Sequence, residues 1–350
     1  MKYWSGYCSE YLAPKENDIN YINVREKPFK IYGLYNMSDE NYYRLPVEFA
    51  KAVSGGVFDH MKASAGVRVR FATDSPYIAI KAKLNGFAPS PHITYIATKG
   101  FDLYIEENGK FTFHNTYNPP LDTDNEVEGI TKFKDIKMRN FVLNFPNGTP
   151  VISVEIGVKN GFSIFKADKY NNEKPVVFYG SSITQGFAAS RPGNTYENFI
   201  SRKLNIDYIN MGFSGSAMGE PVLAEYLSKI PMSAFVMDYD HNAPDVEHLK
   251  NTQYDFYKII RNANVDLPII LVSRPEGRYD EDTLARRKVI LDTYTKAIDN
   301  GDRNIHFVDG STFFPDTLRF DCTADGCHPN DLGMYYMAKG ILKVLSQINL

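Results

Sequence analysis

The sequence predicts an α/β protein of two domains: a β-sandwich of the jelly-roll kind over residues 1–168, then a parallel sheet with helices on both faces over residues 169–350. The chain has 350 residues, more than one ordinary domain of about 150 residues contains. Apolar residues recur at every second position in the N-terminal half, as they do in antiparallel strands. In the C-terminal half, short apolar runs alternate with helical stretches, as in a parallel sheet.

In the N-terminal half the alternation is clearest from Gly66 to Val158, where helical periodicity is absent. Every second residue from Ile78 to Leu84 is apolar, so one face of that strand would be buried. Apolar runs at 101–105 and 111–113 flank Asn108-Gly109, a dipeptide that accepts the positive φ angles of a tight hairpin. Short antiparallel strands joined by such turns are typical of a β-sandwich.

Five short apolar runs predict the strands of the parallel sheet. They are Val176–Tyr179, Tyr208–Ile209, Ala234–Met237, Ile269–Val272 and Ile305–Val308. Helices are predicted between them, with Asn194 near the start of one, Asp245 capping the next and a third over residues 281–298. Parallel strands need crossover connections, which these helices supply. A polar linker over residues 167–174 is predicted to separate the two domains.

Composition excludes several classes of protein. Hydrophobic residues make up 43% of the chain, enough for packed cores rather than disorder. The formal charge is −3 without a long run of one sign, so neither nucleic acid nor a membrane surface is an expected partner. The start lacks a secretory signal and the three cysteines, Cys8, Cys322 and Cys327, form no disulfide framework, which together predict a cytoplasmic protein.

Ligands of an open parallel sheet bind beyond the carboxyl ends of its strands, so the residues that follow each strand are the site candidates. The first strand runs into Gly180-Ser181-Ser182, which places hydroxyls at a turn where backbone N–H groups can face a developing anion. Ser182 is therefore a candidate nucleophile. A phosphate-binding turn and a plain helix cap remain alternatives, although the lysine of a Walker loop is missing.

The second and third strands also end in loops that could reach this cleft. Gly212 ends the second strand, and a glycine there lets the backbone approach a bound group closely. The third strand runs into Asp240-His241-Asn242, whose amide or carboxylate could face Ser182. A metal site in this loop is an alternative, but its residues match no particular ligand spacing.

After the last strand, Asp325 and His328 precede a predicted helix over residues 332–345. A carboxylate three residues before a histidine can hold Nδ1–H and leave Nε2 facing outward as a general base. This arrangement suits the activation of a serine. Zinc held by His328 with Cys322 and Cys327 is the alternative, but no second pair of ligands completes such a site.

Two arginines lie where they could touch a substrate. Arg191 comes just after the nucleophile turn, and Arg274 just after the fourth strand. We interpret both as candidate substrate-binding residues.

These segments resemble a known family when they are taken together. Gly180 to Thr184, Gly212 within Asn-Met-Gly-Phe-Ser-Gly, Asn242, and Asp325 to Pro329 follow in order the four blocks of the SGNH hydrolases, also called GDSL-type esterases. Residues 100–104, Gly-Phe-Asp-Leu-Tyr, look like the Gly-x-Asp-Leu-Tyr signature of a β-sandwich domain that precedes such hydrolases in carbohydrate esterases. The resemblance covers nearly the whole chain.

The resemblance implies a flavodoxin-like three-layer α/β/α hydrolase domain and a role for each site residue. Ser182 would be the nucleophile, His328 the base and Asp325 the residue that orients it. The backbone N–H groups of Ser182 and Gly212 and the side-chain amide of Asn242 would form the oxyanion hole. The sequence departs from the family where Ser181 replaces the usual acid before the nucleophile, and where Tyr-Asp-His-Asn over residues 239–242 replaces Gly-x-Asn-Asp.

The implied reaction is hydrolysis of a short acyl ester, with acetyl favoured, on a small molecule or an oligosaccharide. It requires no metal and no organic cofactor. An acyltransferase using the same acyl-enzyme and a non-catalytic carbohydrate-binding protein remain open alternatives. A homo-oligomer is possible, and the sequence does not choose among roles for the sandwich.

Overall fold

A computed structural model describes residues 14–37, 41–86, 93–120, 125–275, 280–348 and 350. Cys8, one of the three cysteines considered in the sequence analysis, lies outside these residues. None of the helices formed by the described residues combines the length and the apolar character needed to cross a membrane.

The N-terminal half contains two antiparallel sheets. Its strands are β1 (Ile19–Asn23), β2 (Lys30–Tyr32), β3 (Arg68–Thr73), β4 (Tyr77–Leu84), β5 (Phe101–Glu107), β6 (Lys110–Tyr117), β7 (Glu126–Lys132), β8 (Arg139–Asn144) and β9 (Val151–Lys159). One sheet has the order β1-β9-β4-β7 and the other β2-β3-β8-β5-β6. Both confirm the antiparallel prediction.

The two sheets share one apolar core, to which each contributes alternate residues. Ile78 and Ile80 of β4 pack in it with Phe71 of β3 and Leu103 of β5. The hairpin predicted at Asn108-Gly109 joins β5 to β6, and both of its residues have positive φ, 53° and 75°. The jelly-roll connectivity of these strands stays a prediction.

Short helices also occur among the described residues of the N-terminal half: α1 (Val47–Val53), α2 (Gly55–His60) and α3 (Tyr95–Lys99). The prediction that no helix occurs between Gly66 and Val158 is therefore wrong at α3. That helix has 5 residues and is capped by Thr94, whose hydroxyl accepts a hydrogen bond from the Ala97 N–H. One helical turn is too short to produce a detectable period in the sequence.

The C-terminal half contains the predicted five-stranded parallel sheet. Its strands are β10 (Asn172–Gly180), β11 (Ile206–Gly212), β12 (Ala234–Asp238), β13 (Ile269–Val272) and β14 (Ile305–Val308), in the order β11-β10-β12-β13-β14. In order of chain position this is 2-1-3-4-5, a doubly wound arrangement whose switch point lies beside its first strand. β10 begins inside the predicted linker, and β11 is longer than predicted because the buried polar side chains of Asp207 and Asn210 interrupt its apolar run.

Helices cover both faces of this sheet. They are α4 (Ser182–Gln185), α5 (Tyr196–Leu204), α6 (Pro221–Leu227), α7 (Val246–Ala263), α8 (Glu281–Asp299) and α9 (Asp331–Leu345). Helices α6, α7 and α8 pack in one apolar core, and α4, α5 and α9 pack in the other. Asp245 caps α7 as predicted, by accepting a hydrogen bond from the His248 N–H. The helix predicted near Asn194 begins two residues later, after the cap Thr195.

Packing crosses the predicted domain boundary. Leu45, Ala50 of α1, and Val57 of α2 belong to the same core as α6, α7 and α8 rather than to the core of the sandwich. The division at residue 168 stays a prediction for the chain path, but the two halves share buried surface. The N-terminal half is thereby attached to the sheet that carries the site.

Candidate active site

Ser182 lies at the first position of α4, directly beyond the carboxyl end of β10. Ser181 caps the helix, since its hydroxyl accepts a hydrogen bond from the Ile183 N–H at 3.2 Å. A side chain at Gly180 would meet the Asp238 carbonyl oxygen at 2.2 Å, so glycine is needed for this close approach to β12. The serine is held at the switch point of the sheet, with 8% of its surface exposed.

The three side chains predicted to form a triad are brought together. Ser182 Oγ lies 2.9 Å from His328 Nε2, and His328 Nδ1 lies 2.7 Å from Asp325 Oδ2. The other carboxylate oxygen of Asp325 accepts from the backbone N–H groups of His328 at 2.7 Å and Cys327 at 3.0 Å. The same carboxylate therefore folds the loop and orients the imidazole, which leaves Nε2 to accept the serine proton.

The charge of Asp325 is stabilised by these hydrogen bonds. Partial burial by itself would raise the pKa of Asp325, but the hydrogen bonds from His328 and Cys327 outweigh it and lower the pKa to about 2. The carboxyl group is therefore ionised at every pH well above 2. It can hold the Nδ1 proton over the whole range in which an esterase works.

A second set of contacts joins the histidine loop to the loop that follows α4. The Ala188 N–H donates to the Pro329 carbonyl at 2.9 Å. Asp331 accepts from the Ser190 N–H at 2.7 Å and hydroxyl at 2.6 Å, and from the Asn194 side-chain amide at 2.7 Å. Because both loops are fastened to each other, the separation of the serine and the imidazole does not depend on one flexible segment.

Gly212 lies beside α4, but its N–H is already bonded. It donates to Asn210 Oδ1 at 2.9 Å within the end of β11. A Cβ at Gly212 would lie 2.2 Å from the Gln185 backbone nitrogen, so close packing of β11 on α4 accounts for this glycine. This hydrogen bond competes with the predicted role of the Gly212 N–H as an oxyanion donor, and that role stays a prediction.

Gly215, in the turn after β11, has surroundings that differ from those of Gly212. The neighbouring Ser214 N–H donates to the side-chain oxygen of Gln185 at 3.0 Å, which ties the turn to the last residue of α4. Gly215 has a φ of +65°, and an added Cβ would meet no atom within 4 Å, so the residue faces open space. Within the part of the chain that the structure describes, its N–H has no hydrogen-bond acceptor.

The third predicted donor, Asn242, has its amide group oriented by the same turn. Its Oδ1 accepts from the Ala217 N–H at 3.2 Å, so the Nδ2 group lies on the opposite side of the amide. The adjacent His241 has its Nδ1 3.9 Å from the Cys327 sulfur, beside the histidine loop. Burial, with the nearby Arg274 guanidinium, holds the pKa of His241 well below its usual range, so this imidazole is neutral.

Two metal sites were considered from the sequence, one in the loop after β12 and one around His328. The described residues supply no suitable set of ligands for either. Cys322 is buried and Cys327 is partly exposed. Among the described residues, no group of three or more His, Cys, Asp or Glu side chains is arranged to hold a metal ion.

The two candidate substrate-binding arginines are held by carboxylates. Arg191 donates to Asp102 Oδ2 at 2.7 Å and to the hydroxyl of Tyr104, both in β5 of the sandwich. Arg274 donates to Asp282 Oδ2 at 2.9 Å. These contacts favour a structural role for Arg191, which joins the two halves of the chain next to the loop after α4.

Sequence reasoning assigned no role to Asp102, the acid of the Gly-x-Asp-Leu-Tyr segment. It is fully buried and accepts from the Gly193 N–H at 2.8 Å and the Asn144 amide at 2.8 Å as well as from Arg191. A charged residue between the apolar neighbours Phe101 and Leu103 was the available signal. Its partners lie 42 to 91 positions away along the chain, so no local pattern identifies them.

Asp325→Asn is expected to lower kcat for p-nitrophenyl acetate by about 10²- to 10⁴-fold with little change in KM. The amide cannot act as a charged acceptor for Nδ1–H. Its NH2 group would instead favour the tautomer of His328 in which the proton is on Nε2. Because the pKa of Asp325 is about 2, protonation of the native carboxyl makes no contribution to the activity profile near neutral pH. Steady-state kinetics with Asp316→Asn as control, a carboxylate 93% exposed, checks this, and equal rates would contradict it.

Comparisons with known proteins agree with the geometry. Residues 173–346 match the model of the GDSL-like lipase/acylhydrolase family, and residues 19–164 match the GxDLY domain, the N-terminus of SGNH-hydrolase-type esterases. The search of curated proteins found no match. Many solved structures are similar, and three of them illustrate the range.

A crystal structure of a GDSL-like lipase from Bacteroides ovatus is 28% identical, covers 94% of this chain and 97% of its own, and has a TM-score of 0.86. The salicylyl-acyltransferase SsfX3 from a tetracycline biosynthetic pathway is 19% identical over 95% of this chain and 98% of its own, with a TM-score of 0.78. A family two carbohydrate esterase from Clostridium thermocellum, solved with cellohexaose, is 15% identical over 81% and 92%, with a TM-score of 0.58.

The two family models lie end to end along the chain, on the antiparallel half and on the parallel half that carries Ser182. The protein therefore belongs to the GDSL-like lipase and acylhydrolase family, as an SGNH-type serine esterase preceded by a GxDLY domain.

Proposed function

We propose that the protein removes short acyl groups, acetyl in particular, from a carbohydrate through an acyl-enzyme on Ser182. The observation that carries the proposal is the continuous hydrogen-bonded path from Ser182 Oγ through His328 to Asp325, with distances of 2.9 Å and 2.7 Å. A degenerate, non-catalytic hydrolase fold would have no reason to retain all three groups in this register.

Acylation begins when Nε2 of His328 takes the proton of Ser182 as Oγ bonds to the ester carbonyl carbon. The carbonyl electron pair moves onto oxygen, and the resulting imidazolium is stabilised by the ionised Asp325. When the tetrahedral intermediate collapses, the C–O bond to the alcohol breaks and His328 returns the proton to the leaving alkoxide. Water then repeats the sequence on the acyl-enzyme, which releases the acid and restores Ser182.

The developing oxyanion would be bound by three N–H donors. These are the backbone N–H of Ser182 at the start of α4, the backbone N–H of Gly215 and the Nδ2 group of Asn242. The first is supported by its place in the first helical turn, where N–H groups have no intrahelical acceptor. Each well-placed donor stabilises a transition state of this kind by about 3 kcal/mol.

The carbohydrate part of the proposal rests on relatives. Similar structures include a carbohydrate esterase solved with cellohexaose and an acetyl xylan esterase from Butyrivibrio proteoclasticus. In this chain the sandwich carries the Asp102 and Tyr104 contacts that fix the loop after α4. The half that precedes the hydrolase therefore takes part in shaping the site.

A substrate series tests the proposal. We expect kcat/KM to fall from p-nitrophenyl acetate through butyrate to octanoate, and acetate to be released from acetylated xylo- or cello-oligosaccharides. A preference for octanoate, or no acetate from any acetylated sugar, would contradict the proposed substrate while leaving the esterase chemistry intact.

The same assay distinguishes hydrolysis from acyl transfer. We expect free acetate to remain the main product when a simple alcohol or a sugar is added as acceptor. If the acylated acceptor outruns free acetate at about millimolar acceptor, the protein is an acyltransferase that uses the same acyl-enzyme.

A further inference from the structure

Arg44 belongs to the N-terminal half and is buried at the end of β11, the strand that leads into the turn containing Gly215. Only 1% of its surface is exposed. Its Nη1 donates to the Gly212 carbonyl at 2.6 Å and to the Asn210 carbonyl and Oδ1, both at 3.2 Å. The other side of the guanidinium is fixed to its own half, by donation to the carbonyls of Ala63 at 2.9 Å and His60 at 2.6 Å.

This guanidinium is bound by carbonyl oxygens rather than by a carboxylate. Burial lowers the pKa of Arg44 to about 9, so it stays protonated at neutral pH. The acid that influences it is Glu197, whose own pKa burial raises to about 8, which favours its neutral form. Burying a cation without a charged partner lowers the stability of the fold. Packing alone therefore does not account for an arginine at this position.

The groups that Arg44 holds lead directly to the nucleophile. Asn210 Oδ1 accepts from both Arg44 and the Gly212 N–H, and its Nδ2 donates to the Thr184 carbonyl within α4. One residue beyond Gly212, the Phe213 N–H donates to the Gly180 carbonyl at 2.9 Å. The end of β11, the turn that follows it and the helix that carries Ser182 thus share one polar network.

We propose that Arg44 is a positioning residue, through which the N-terminal half sets the end of β11 and hence the Gly215 turn against Ser182. The proposal rests on the proposed function of that turn as part of the oxyanion hole. It assigns the N-terminal half a part in catalysis that does not require the half to touch substrate.

The chain contains a matched control in Arg68. This arginine also comes from the N-terminal half, is 1% exposed, and donates to a carbonyl of β11, that of Tyr208, at 3.1 Å. It also pairs with Asp207, near the start of the strand. Arg44 and Arg68 therefore make the same kind of connection between the halves, at the site end and at the remote end of one strand.

The test compares Arg44→Lys with Arg68→Lys in the full chain. A lysine keeps the charge but cannot span the Gly212, Asn210 and His60 oxygens together. We expect Arg44→Lys to lower kcat for p-nitrophenyl acetate by about 10- to 100-fold with KM within about threefold of the native value, because one oxyanion donor is displaced. Arg68→Lys is expected to keep kcat within about threefold of the native value, even if its melting temperature falls as much as that of Arg44→Lys.

Equal losses of kcat in the two variants, or a change confined to melting temperature, would overturn the proposal in favour of a purely structural role. If Arg44→Lys does not fold, Arg44→Gln, which keeps one N–H donor without a buried charge, takes its place in the same comparison. Failure of both Arg44 variants to fold, with Arg68→Lys folded, would also overturn it. Failure of the proposed function would give a different result. The native protein itself would then have no esterase activity that depends on Ser182.

Discussion

Ser182→Ala is expected to lower kcat for p-nitrophenyl acetate by about 10³-fold or more, with the fold intact. Alanine removes the atom that bonds to the carbonyl carbon, so hydrolysis must proceed by direct attack of water. The Ser182 side chain caps no helix, because Ser181 caps α4. Some rate above the uncatalysed reaction should remain, because the oxyanion donors and the substrate contacts are still present.

The measurement is kcat and KM with the native protein, Ser182→Ala and a control, Ser228→Ala. The control hydroxyl is partly exposed and donates to the Glu225 carbonyl at 2.9 Å, so its loss should leave the rate unchanged. A circular dichroism melt establishes that the variants are folded. A Ser182→Ala protein as active as the native one would remove the nucleophile from the account.

His328→Gln is expected to have an effect of the same order, about 10³-fold or more on kcat. Glutamine can donate a hydrogen bond toward Ser182, but it cannot take up a proton and return it to the leaving group. In the native protein the imidazole takes up that proton, and the ionised Asp325 stabilises the imidazolium that forms.

A double variant tightens this test. If Ser182 and His328 act as one unit, Ser182→Ala with His328→Gln should be no slower than either single variant, since each alone abolishes the acyl-enzyme route. His248→Gln serves as the control, since that imidazole contacts the Met218 carbonyl at 2.8 Å. Losses that multiply in the double variant would mean that the two residues act in separate steps.

The sequence was sufficient for much of the fold. Alternation in β4 and the Asn108-Gly109 turn identify antiparallel strands, because both signals are local: one is the period of two along a single strand, and the other is the positive φ angles of two adjacent residues. The strands of the parallel sheet were found where the run is uniformly apolar, as in β13. They were underestimated in β11, where Asp207 and Asn210 are buried by partners that lie far away in the chain.

The candidate triad was also within reach of the sequence, since the spacing of Asp325 and His328 fixes a local geometry. The choice between two glycines as the proposed oxyanion donor was not. Gly212 and Gly215 lie three residues apart in one glycine-containing segment, and they are distinguished by the hydrogen bond from the Gly212 N–H to Asn210 and by the open space beside Gly215. Arg44 had no signal in the sequence, because its role depends on carbonyl groups about 166 positions away.

The architecture suggests why the two halves occur in one chain. The Asp102 carboxylate fixes the loop after α4 from one side, and Arg44 fixes the end of β11 from the other. Removal of the N-terminal half would remove the contacts that hold the loop after α4 and the end of β11, the two segments on either side of Ser182.

The most direct test of the serine chemistry is covalent labelling. A fluorophosphonate transfers its phosphonyl group to an activated serine as fluoride leaves, and the adduct can be located by peptide mass spectrometry. We expect one adduct, on Ser182, that forms in step with the loss of esterase activity and is prevented by His328→Gln. Full inactivation with the adduct on any other residue, or an unlabelled protein that remains fully active, would contradict it.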